Sequence, residues 1–295
     1  MQAIPFTKMS GVGNDFIIVD NRAGILRALD LPELARRVCT RRMSLGGDQL
    51  MLIEPPTAGG DFSMRTINTD GTEVKMCGNA SRCVARYASV RGIAGARMTI
   101  DTLGGPVHAW VEGTEARVQL QLTSAIVLDR ALSADGERRV VHTVEVSGAP
   151  HAVAYMEEAA TATQEVIQRV GSAIRHHPDF PGGINVNFVQ VVDRHTLCQR
   201  TFERGVEGET LACGTGAVAS CVVSAVRGLV GSPVRLRVLG GELSVSFERR
   251  GESFGALLLG GGARFVAEGL LHPEAWSWPL TGLSARVAGG PALIP

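Results

Sequence analysis

The chain has 295 residues, of which 45% are hydrophobic and 20% charged, a composition typical of a folded globular protein with room for two domains. Basic and acidic residues number 29 each, so the net charge gives no general attraction for nucleic acid or for an anionic membrane. No stretch is apolar enough to span a membrane, and the first residues lack the pattern of a signal peptide. We therefore expect a cytoplasmic protein whose partner is a small molecule or another copy of itself.

The predicted elements are mainly short strands separated by glycine-rich turns. In chain order, the clearest strand patterns are FIIV, LMLI, RVQLQL, VNFVQVV and ELSVSFE. One helix is predicted after the N-cap Asp30, over PELARRVC, and another over QEVIQRVGSAIR. Two more are predicted directly after Cys77 and Cys213. These patterns indicate a β-rich α/β (α+β) fold with one amphipathic helix and one post-cysteine helix in each half.

The two halves of the chain repeat each other. When position 73 is set against 209, seven of 23 positions are identical, including Cys77 with Cys213, where composition alone predicts roughly one or two. With one gap further upstream, Asn14 lies opposite His151. A repeat of this length predicts two similar domains related by a pseudo-twofold axis. The tail after Pro273 has no counterpart and receives no predicted role.

Six cysteines fall into two classes. Cys77 and Cys213 each stand before a glycine at a helix start, whereas the others lie in apolar segments and are predicted to be buried: Cys39, Cys83, Cys198 and Cys221. A long, unexported chain argues against a disulfide scaffold, and the absence of CxxC pairs argues against a zinc site. We expect no metal.

The two helix starts favour acid–base chemistry on an anionic substrate. A helix N-terminus lowers the pKa of a thiol from about 8.5, and its N–H groups, here at Gly78–Asn79 and Gly214–Thr215, can hold a carboxylate. If two such sites face one carbon, one thiolate removes a proton and the opposite thiol delivers another, with inversion. The sequence therefore suggests a cofactor-independent epimerase.

At these residues the chain closely resembles the diaminopimelate epimerase family. The matching stretches are KMSGVGNDFIIVD, GGDQLMLIE, NTDGTEVKMCGNASRCVARY, GINVNFV and TFERGVEGETLACGTGAVAS. The resemblance implies conversion of LL-2,6-diaminopimelate to the meso form without pyridoxal phosphate, in lysine and cell-wall precursor synthesis, by a homodimer. It also implies a fold in which each domain is a mixed β-sheet wrapped around a central helix, with the active site in the cleft between. The expected domains are residues 1–122 with 264–295, carrying Cys77, and residues 123–263, carrying Cys213.

The same resemblance implies roles for individual residues. Cys77 and Cys213 correspond to the family's catalytic base and acid, and His151 and Glu203 to residues that tune the thiols. Arg204 could grip the distal carboxylate of the substrate with its fork of donors, and Glu203 could accept from an ammonium. The expected substrate contacts are Asn14, Gln49, Asn68, Gly78, Asn79, Asn185, Glu203, Arg204, Gly214 and Thr215.

Two departures from the family pattern leave alternatives open. Many members have an Asn where this chain has Ala149, and ERGVEGET is one residue longer than the commoner ERGVGET. Both lie where the distal end of the substrate is expected, so a racemase of another amino acid, of the histidine or proline type, is an alternative. An alternative from another class is a thiol redox or binding protein in which Cys77 and Cys213 form a regulatory disulfide.

Overall fold

The structure is a computed structural model that describes residues 2–251 and 253–278. Most of the tail that received no role lies outside the described residues. The first ten elements are β1 (Ile4–Gly11), β2 (Asn14–Asp20), α1 (Leu31–Val38), β3 (Gln49–Glu54), β4 (Phe62–Asn68), β5 (Glu73–Val74), α2 (Gly78–Val90), β6 (Arg97–Thr102), β7 (Gly105–Glu112) and β8 (Glu115–Leu120).

The remaining elements repeat the first series and then add to it. The repeated series is β9 (Val127–Ala134), β10 (Glu137–Val146), β11 (Ala149–Tyr155), α3 (Gln164–Arg175), β12 (Asn185–Asp193), β13 (Thr196–Glu203), β14 (Gly208–Thr210), α4 (Gly214–Val226), β15 (Val234–Val238) and β16 (Gly241–Ser246). The added elements are β17 (Arg249–Arg250), β18 (Ser253–Phe254), β19 (Leu257–Gly262), β20 (Arg264–Leu271) and α5 (Glu274–Ser277).

Contacts group the chain into two units with the same pattern of strand pairing. One unit runs to Val118 and resumes at Gly262; the other spans Gln119–Gly261. In the first, β2 lies parallel to β3 and β4 to β6, while β1 lies antiparallel to both β2 and β20. In the second, β11 lies parallel to β12 and β13 to β15, while β10 lies antiparallel to both β11 and β9. The predicted repeat is therefore present as two similar sets of parallel and antiparallel strand pairs; the domain limits at 122 and 263 stay a prediction.

The amphipathic helix of each unit begins at a side-chain cap. Asp30 accepts from the N–H of Glu33 ahead of α1, and Thr163 accepts from the N–H of Val166 ahead of α3. Each cap satisfies one N–H group that has no partner within the helix. The apolar faces of the two helices, represented by Leu34 in α1, pack on the sheets of their own units.

The post-cysteine helices are buried much more completely. Every residue from Gly216 to Ala225 in α4 is buried, and α2 is buried from Gly78 to Ala85. The α4 segment contains Val, Ser and Gly, which are modest helix formers, so its stability comes chiefly from packing inside the unit. Strands β1, β2, β3 and β7 contact α2, and strands β10 to β13 and β16 contact α4. The strands of each unit thus surround their own helix, which confirms the predicted fold class.

Within residues 2–251 and 253–278, no helix has both the length and the hydropathy needed to cross a membrane. In the same residues, His, Cys, Asp and Glu side chains do not gather in groups of three or more that could hold a metal ion.

Candidate active site

Cys77 lies immediately before α2, as the sequence predicted. Its backbone is extended (φ −135°, ψ 119°), and its side chain does not cap the helix. Ser81 donates from both N and Oγ to the Cys77 carbonyl, at 2.8 Å each, which secures the first turn. The thiol is half-buried. The positive end of the helix dipole therefore lies beside a thiol that solvent or a ligand can reach.

A chain of side-chain hydrogen bonds surrounds the first turn of α2. Asn79 donates from Nδ2 to Asn14 Oδ1 at 2.5 Å and accepts at Oδ1 from Arg82 Nη1 at 2.9 Å. Asn14 in turn donates from Nδ2 to Asp48 Oδ2 at 3.1 Å. A guanidinium only donates and a carboxylate only accepts, so the two ends of the chain determine which way each amide points. Asn14 and Asn79, both predicted substrate contacts, are thereby held in one orientation.

Arg82 lies inside the first unit with no exposed surface. Its Nη1 group bonds to Asn79, whereas its Nε and Nη2 groups have no hydrogen-bond partner among the described residues. Burial lowers the pKa of Arg82, and the nearby thiols of Cys83 and Cys77 act in the opposite direction. A guanidinium is difficult to deprotonate even when buried, so this side chain brings a positive charge close to the catalytic candidate Cys77.

Gln49 and Asn68 come together at one end of the first sheet. They lie opposite each other in the antiparallel pair β3–β4, and Gln49 Nε2 donates to Asn68 Oδ1 at 2.9 Å. Asn68 donates onward to Thr72 Oγ1 at 3.0 Å, so it also supports the turn that follows β4. Gln49 Oε1 is buried and has no hydrogen-bond partner among the described residues. It is available as an acceptor for a ligand donor such as an ammonium group.

Cys213 occupies the same position relative to α4. Its backbone is extended (φ −121°, ψ 112°), and the N–H of Ala217 donates to its carbonyl at 2.9 Å. The Cys213 thiol is buried and lies 3.6 Å from the hydroxyl of Thr215, a contact in which either group can donate. The N–H groups at Gly214 and Thr215 belong to the first turn, where a bound anion is favoured.

Gly216 allows a buried amide to pack against the turn that carries Cys213. A Cβ atom at this position would overlap Asn187 Oδ1 and would lie 3.2 Å from the Cys213 sulfur. Because φ at Gly216 is not positive, the glycine is required for space and not for backbone conformation. The repeat has Ala80 at the equivalent position of α2, so the close approach is specific to the second unit.

His151 is completely buried beside this amide. Asn187 Nδ2 lies 3.2 Å from His151 Nδ1 and also donates to the carbonyl of Ala152 at 3.2 Å. Burial, aided by the positive charge of Arg204, lowers the pKa of His151 to about 3. His151 is therefore a neutral imidazole near neutral pH.

The predicted contacts to the distal end of the substrate lie where β12 begins and β13 ends. Asn185 Oδ1 accepts from the backbone N–H of Arg204 at 2.9 Å, and Asn185 Nδ2 donates to the Pro150 carbonyl at 3.0 Å. Glu203 is the last residue of β13 and is half-buried. The guanidinium of Arg204 is exposed and, among the described residues, donates to the carbonyl oxygens of Gly182 and Gly183, at 3.3 and 3.4 Å. It retains donors for a carboxylate.

The lengthened turn after Arg204 is tied to α3 by an ion pair. Glu207 has a positive φ of 56°, and its Oε1 accepts from Arg175 Nη2 at 2.8 Å and from the N–H of Gly205 at 2.9 Å. These bonds accommodate the extra residue of ERGVEGET by holding the turn against the end of α3.

The other four cysteines are buried, as predicted. Burial raises the pKa of Cys39 and of Cys83 to about 12 and raises that of Cys221 well above its ordinary value. Thiols with such a high pKa remain protonated and are poor nucleophiles. They pack as small apolar side chains.

The similarity of this chain to known proteins covers both of its halves. The family model described as diaminopimelate epimerase matches residues 6–128 and 143–266. The chain is 39% identical over 280 residues to the diaminopimelate epimerase of Aquifex aeolicus (strain VF5), a match that covers 91% of this chain and 98% of that protein. The chain belongs to the diaminopimelate epimerase family. The resemblance noted in the sequence is thereby confirmed.

Further members and a solved structure are consistent with this assignment. The diaminopimelate epimerase of Aromatoleum aromaticum (strain DSM 19018 / LMG 30748 / EbN1) is 38% identical over 266 residues, covering 85% of this chain and 93% of that one. The crystal structure of a hydroxyproline epimerase from Agrobacterium vitis matches with a TM-score of 0.69 over 98% of this chain and all of that chain, at 15% identity. At that identity the likeness concerns the fold alone.

Within each unit of this diaminopimelate epimerase family member, the predicted residues gather at one end of the sheet and at the adjoining helix start. In the first unit these are Asn14, Gln49, Asn68, Cys77, Gly78 and Asn79. In the second they are His151, Asn185, Glu203, Arg204, Cys213, Gly214 and Thr215. The catalytic and binding roles of these residues stay predictions.

Sequence analysis missed several residues that support the predicted ones. Arg82, Asn187 and Gly216 are the main examples. One signal was present for Asn187, because it stands two residues from Asn185 in a strand and therefore shares its face.

Proposed function

We propose that the protein epimerises one α-carbon of LL-2,6-diaminopimelate to give the meso form, with Cys77 and Cys213 as the proton-transfer pair. The observation that carries this proposal is that each cysteine stands at the start of a buried helix, at equivalent positions of two repeated units, in a member of the diaminopimelate epimerase family.

The proposed reaction needs only two proton transfers. The thiolate of one cysteine takes the α-proton, and the electron pair left on carbon is delocalised into the neighbouring carboxylate. The thiol of the other cysteine then gives its own proton to the opposite face. The N–H groups of the first turns of α2 and α4 stabilise the enediolate-like charge, which is greater in the transition state than in the substrate. The two cysteines end with exchanged protonation states, so the reverse reaction uses the same groups.

The substrate assignment is supported by the polar groups beside the two cysteines. Diaminopimelate carries two ammonium and two carboxylate groups. The buried, unpartnered Gln49 Oε1 suits an ammonium, and the exposed guanidinium of Arg204 suits the distal carboxylate. Amides of fixed orientation at Asn14 and Asn79 suit a ligand that carries both signs of charge.

We propose that this chemistry needs neither metal nor pyridoxal phosphate and takes place in the cytoplasm. The acid, the base and the dipoles that stabilise charge are all contributed by the chain in the mechanism above. Four buried cysteines outside disulfides, namely Cys39, Cys83, Cys198 and Cys221, are typical of a protein that folds and works under reducing conditions.

We also propose that the protein is a homodimer. The outer part of β20 is apolar and exposed, with Val266 58% and Leu270 69% accessible, and Val90 at the end of α2 is 58% accessible. A cleft of about 330 Å³ lies between α2 and β20. Exposed apolar groups of this kind are typical of subunit interfaces. Sedimentation should give a dimer, and Leu270→Glu should shift the chain toward monomer; a wild-type monomer at high concentration would contradict the proposal.

Hydrogen exchange in D₂O tests the proposed function. The purified protein, under reducing conditions and with no added cofactor, is incubated with LL-diaminopimelate and, in parallel, with L-proline and L-histidine. Deuterium incorporation at one α-carbon with formation of the meso isomer is expected for diaminopimelate alone. Exchange in proline or histidine but not in diaminopimelate would favour the racemase alternative, and a requirement for oxidant would favour a thiol redox protein.

A further inference from the structure

The buried imidazole of His151 has one ring nitrogen in a hydrogen bond and the other without one. Its Nδ1 lies 3.2 Å from Asn187 Nδ2, and its Nε2 has no hydrogen-bond partner among the described residues. Neither His151 nor Asn187 has any exposed surface. Which ring nitrogen carries the proton depends on which group of the Asn187 amide faces the ring.

The neighbours of Asn187 determine the orientation of its amide. Nδ2 lies 3.2 Å from the carbonyl oxygen of Ala152, an atom that can only accept. On the other side, Oδ1 lies 3.1 Å from the hydroxyl of Thr201, and that hydroxyl accepts from Gln199 Nε2 at 3.0 Å. The hydroxyl can donate to Asn187 Oδ1 while it accepts from Gln199. The Ala152 contact requires the NH₂ group of Asn187 to face His151, and the Thr201 contact is compatible with that orientation.

This orientation leaves one neutral form of the imidazole. Since Asn187 donates to Nδ1, that nitrogen must present its lone pair, and the proton must reside on Nε2. The buried environment and the charge of Arg204 oppose a second proton on the ring.

The amide is also in direct contact with the turn that carries Cys213. Asn187 Oδ1 packs so closely on Gly216 that a Cβ there would overlap it, and the Cys213 sulfur lies 3.2 Å from the same point.

We propose that Asn187 is a positioning residue that holds His151 as the neutral imidazole protonated on Nε2, so that His151 acts toward a catalytic thiol as a hydrogen-bond donor and not as a base. The role toward the thiol rests on the proposed function, whereas the protonation pattern of His151 does not. In this arrangement the α-proton passes between substrate carbon and thiol, and His151 neither gains nor loses a proton during turnover.

Nitrogen-15 NMR of the full-length protein labelled at histidine tests the protonation pattern without substrate. The His151 signals are identified by their loss in His151→Gln. We expect a pyridine-like Nδ1 and a pyrrole-like Nε2 that stay unchanged from neutral to mildly acidic pH. A pyrrole-like Nδ1, or an imidazolium near neutral pH, would overturn the proposal whatever the activity of the enzyme.

Exchange of the amide for a carboxylate tests the role of Asn187. In Asn187→Asp the side chain can only accept from the ring, so Nδ1 should become protonated, and kcat should fall by roughly ten- to a hundredfold, as when the orienting partner of a functional histidine is lost, with a smaller change in KM. Gln190→Glu is the matched control, because it adds a carboxylate on the same strand and keeps the acceptor for the N–H of Ala160. It should leave the His151 signals and kcat unchanged.

A third variant, Thr201→Val, tests the orientation of the Asn187 amide even if Asn187→Asp does not fold. Thr201→Val removes the hydroxyl bond to Asn187 but keeps the Ala152 contact, so the proton should remain on His151 Nε2. A shift of that proton to Nδ1 in Thr201→Val would contradict the assignment of the amide orientation. If the wild-type NMR pattern is as expected but diaminopimelate shows no exchange, the proposed function fails and the positioning role of Asn187 toward the imidazole stands.

Discussion

Arg82, which has no exposed surface, donates from Nη1 to the side-chain oxygen of Asn79 at 2.9 Å. Asn79 is the second residue of the helix that Cys77 precedes, so a buried positive charge is anchored at the start of that helix. Among the influences on the pKa of Arg82, the thiols of Cys83 and Cys77 favour its charged form, and by reciprocity its charge favours their thiolates. Because burial raises the pKa of Cys83 to about 12, Cys77 is the thiol that can respond.

Replacement of Arg82 by Met should therefore impair activity more than stability. The variant loses one hydrogen bond and removes a buried charge that has no carboxylate partner in the part of the chain that the structure describes. These effects partly offset each other, so we expect the free energy of unfolding to change by no more than about 2 kcal/mol. Alkylation of Cys77 by iodoacetamide, followed by peptide mass spectrometry, should require higher pH in Arg82→Met. Arg82→Lys should restore part of the wild-type profile. An unchanged alkylation profile in Arg82→Met would contradict the electrostatic role.

Replacement of either Cys77 or Cys213 by Ala should abolish epimerisation, because inversion needs one proton acceptor and one proton donor on opposite faces. A loss on the order of 10²–10⁴-fold or more in kcat is expected when a general acid or base is removed. Cys221→Ala, which changes a buried thiol within α4, the helix that Cys213 precedes, is the control and should keep its activity. Near-wild-type turnover in either of the first two variants would disprove the two-thiol mechanism.

Replacement of Gly216 by Ala should be costly although alanine favours helices. The new Cβ would overlap Asn187 Oδ1, and relief requires movement of the buried amide or of the first turn of α4. Overpacking of this kind costs about 1–3 kcal/mol, and activity should fall as well because Cys213 belongs to the same turn. Gly231→Ala meets no atom closer than 3.8 Å and serves as the control in urea unfolding. Equal stability of the two variants would show that the contact is not tight.

Replacement of Arg204 by Ala should weaken diaminopimelate turnover far more than that of any shorter amino acid. Loss of one partner of a charge pair that becomes buried in the complex costs about 2–5 kcal/mol, or roughly thirty- to several-thousand-fold in kcat/KM. Arg138→Ala removes an exposed arginine on β10 and should have little effect. Ala149→Asn, which restores the amide found in many family members, should be tolerated. Unaltered diaminopimelate kinetics in Arg204→Ala would refute the substrate assignment while leaving the two-thiol chemistry standing.

Acid should destabilise the protein through His151. Its pKa is about 3 in the folded chain and near 6.5 when unfolded, so the stability contributed by the neutral ring is complete above about pH 6.5 and is lost as the pH falls toward 3. The free energy of unfolding should decrease by up to about 1.4 kcal/mol per pH unit in that range. Urea unfolding between about pH 7 and pH 5 should show a shallower dependence in His151→Gln than in wild type. His195→Gln, at an exposed position, should behave like wild type; identical slopes in all three proteins would count against a buried neutral His151.

The sequence by itself determined the features that depend on neighbouring residues. The capping bond from Glu33 to Asp30 joins residues that are three apart in the chain. The glycines after Cys77 and Cys213 mark helix starts in the same local way. The repeat and the apolar surroundings of Cys39 and Cys221 were likewise visible without tertiary structure. Interactions within one helical turn or one short motif are encoded by residue order, so they could be predicted.

Only the tertiary structure decided which polar side chains support these features. Asn79 and Asn14 are 65 residues apart in the chain, and Asn187 and His151 are 36 apart, yet each pair is in hydrogen-bond contact. Such contacts depend on strand register and on how closely a helix packs against its sheet, and a shift of one residue in a strand would turn the side chains of that strand to the other face. Residue order restricts that register through hydrophobic alternation, but it does not specify which buried amide will meet which ring, because that follows from the packing of the whole unit.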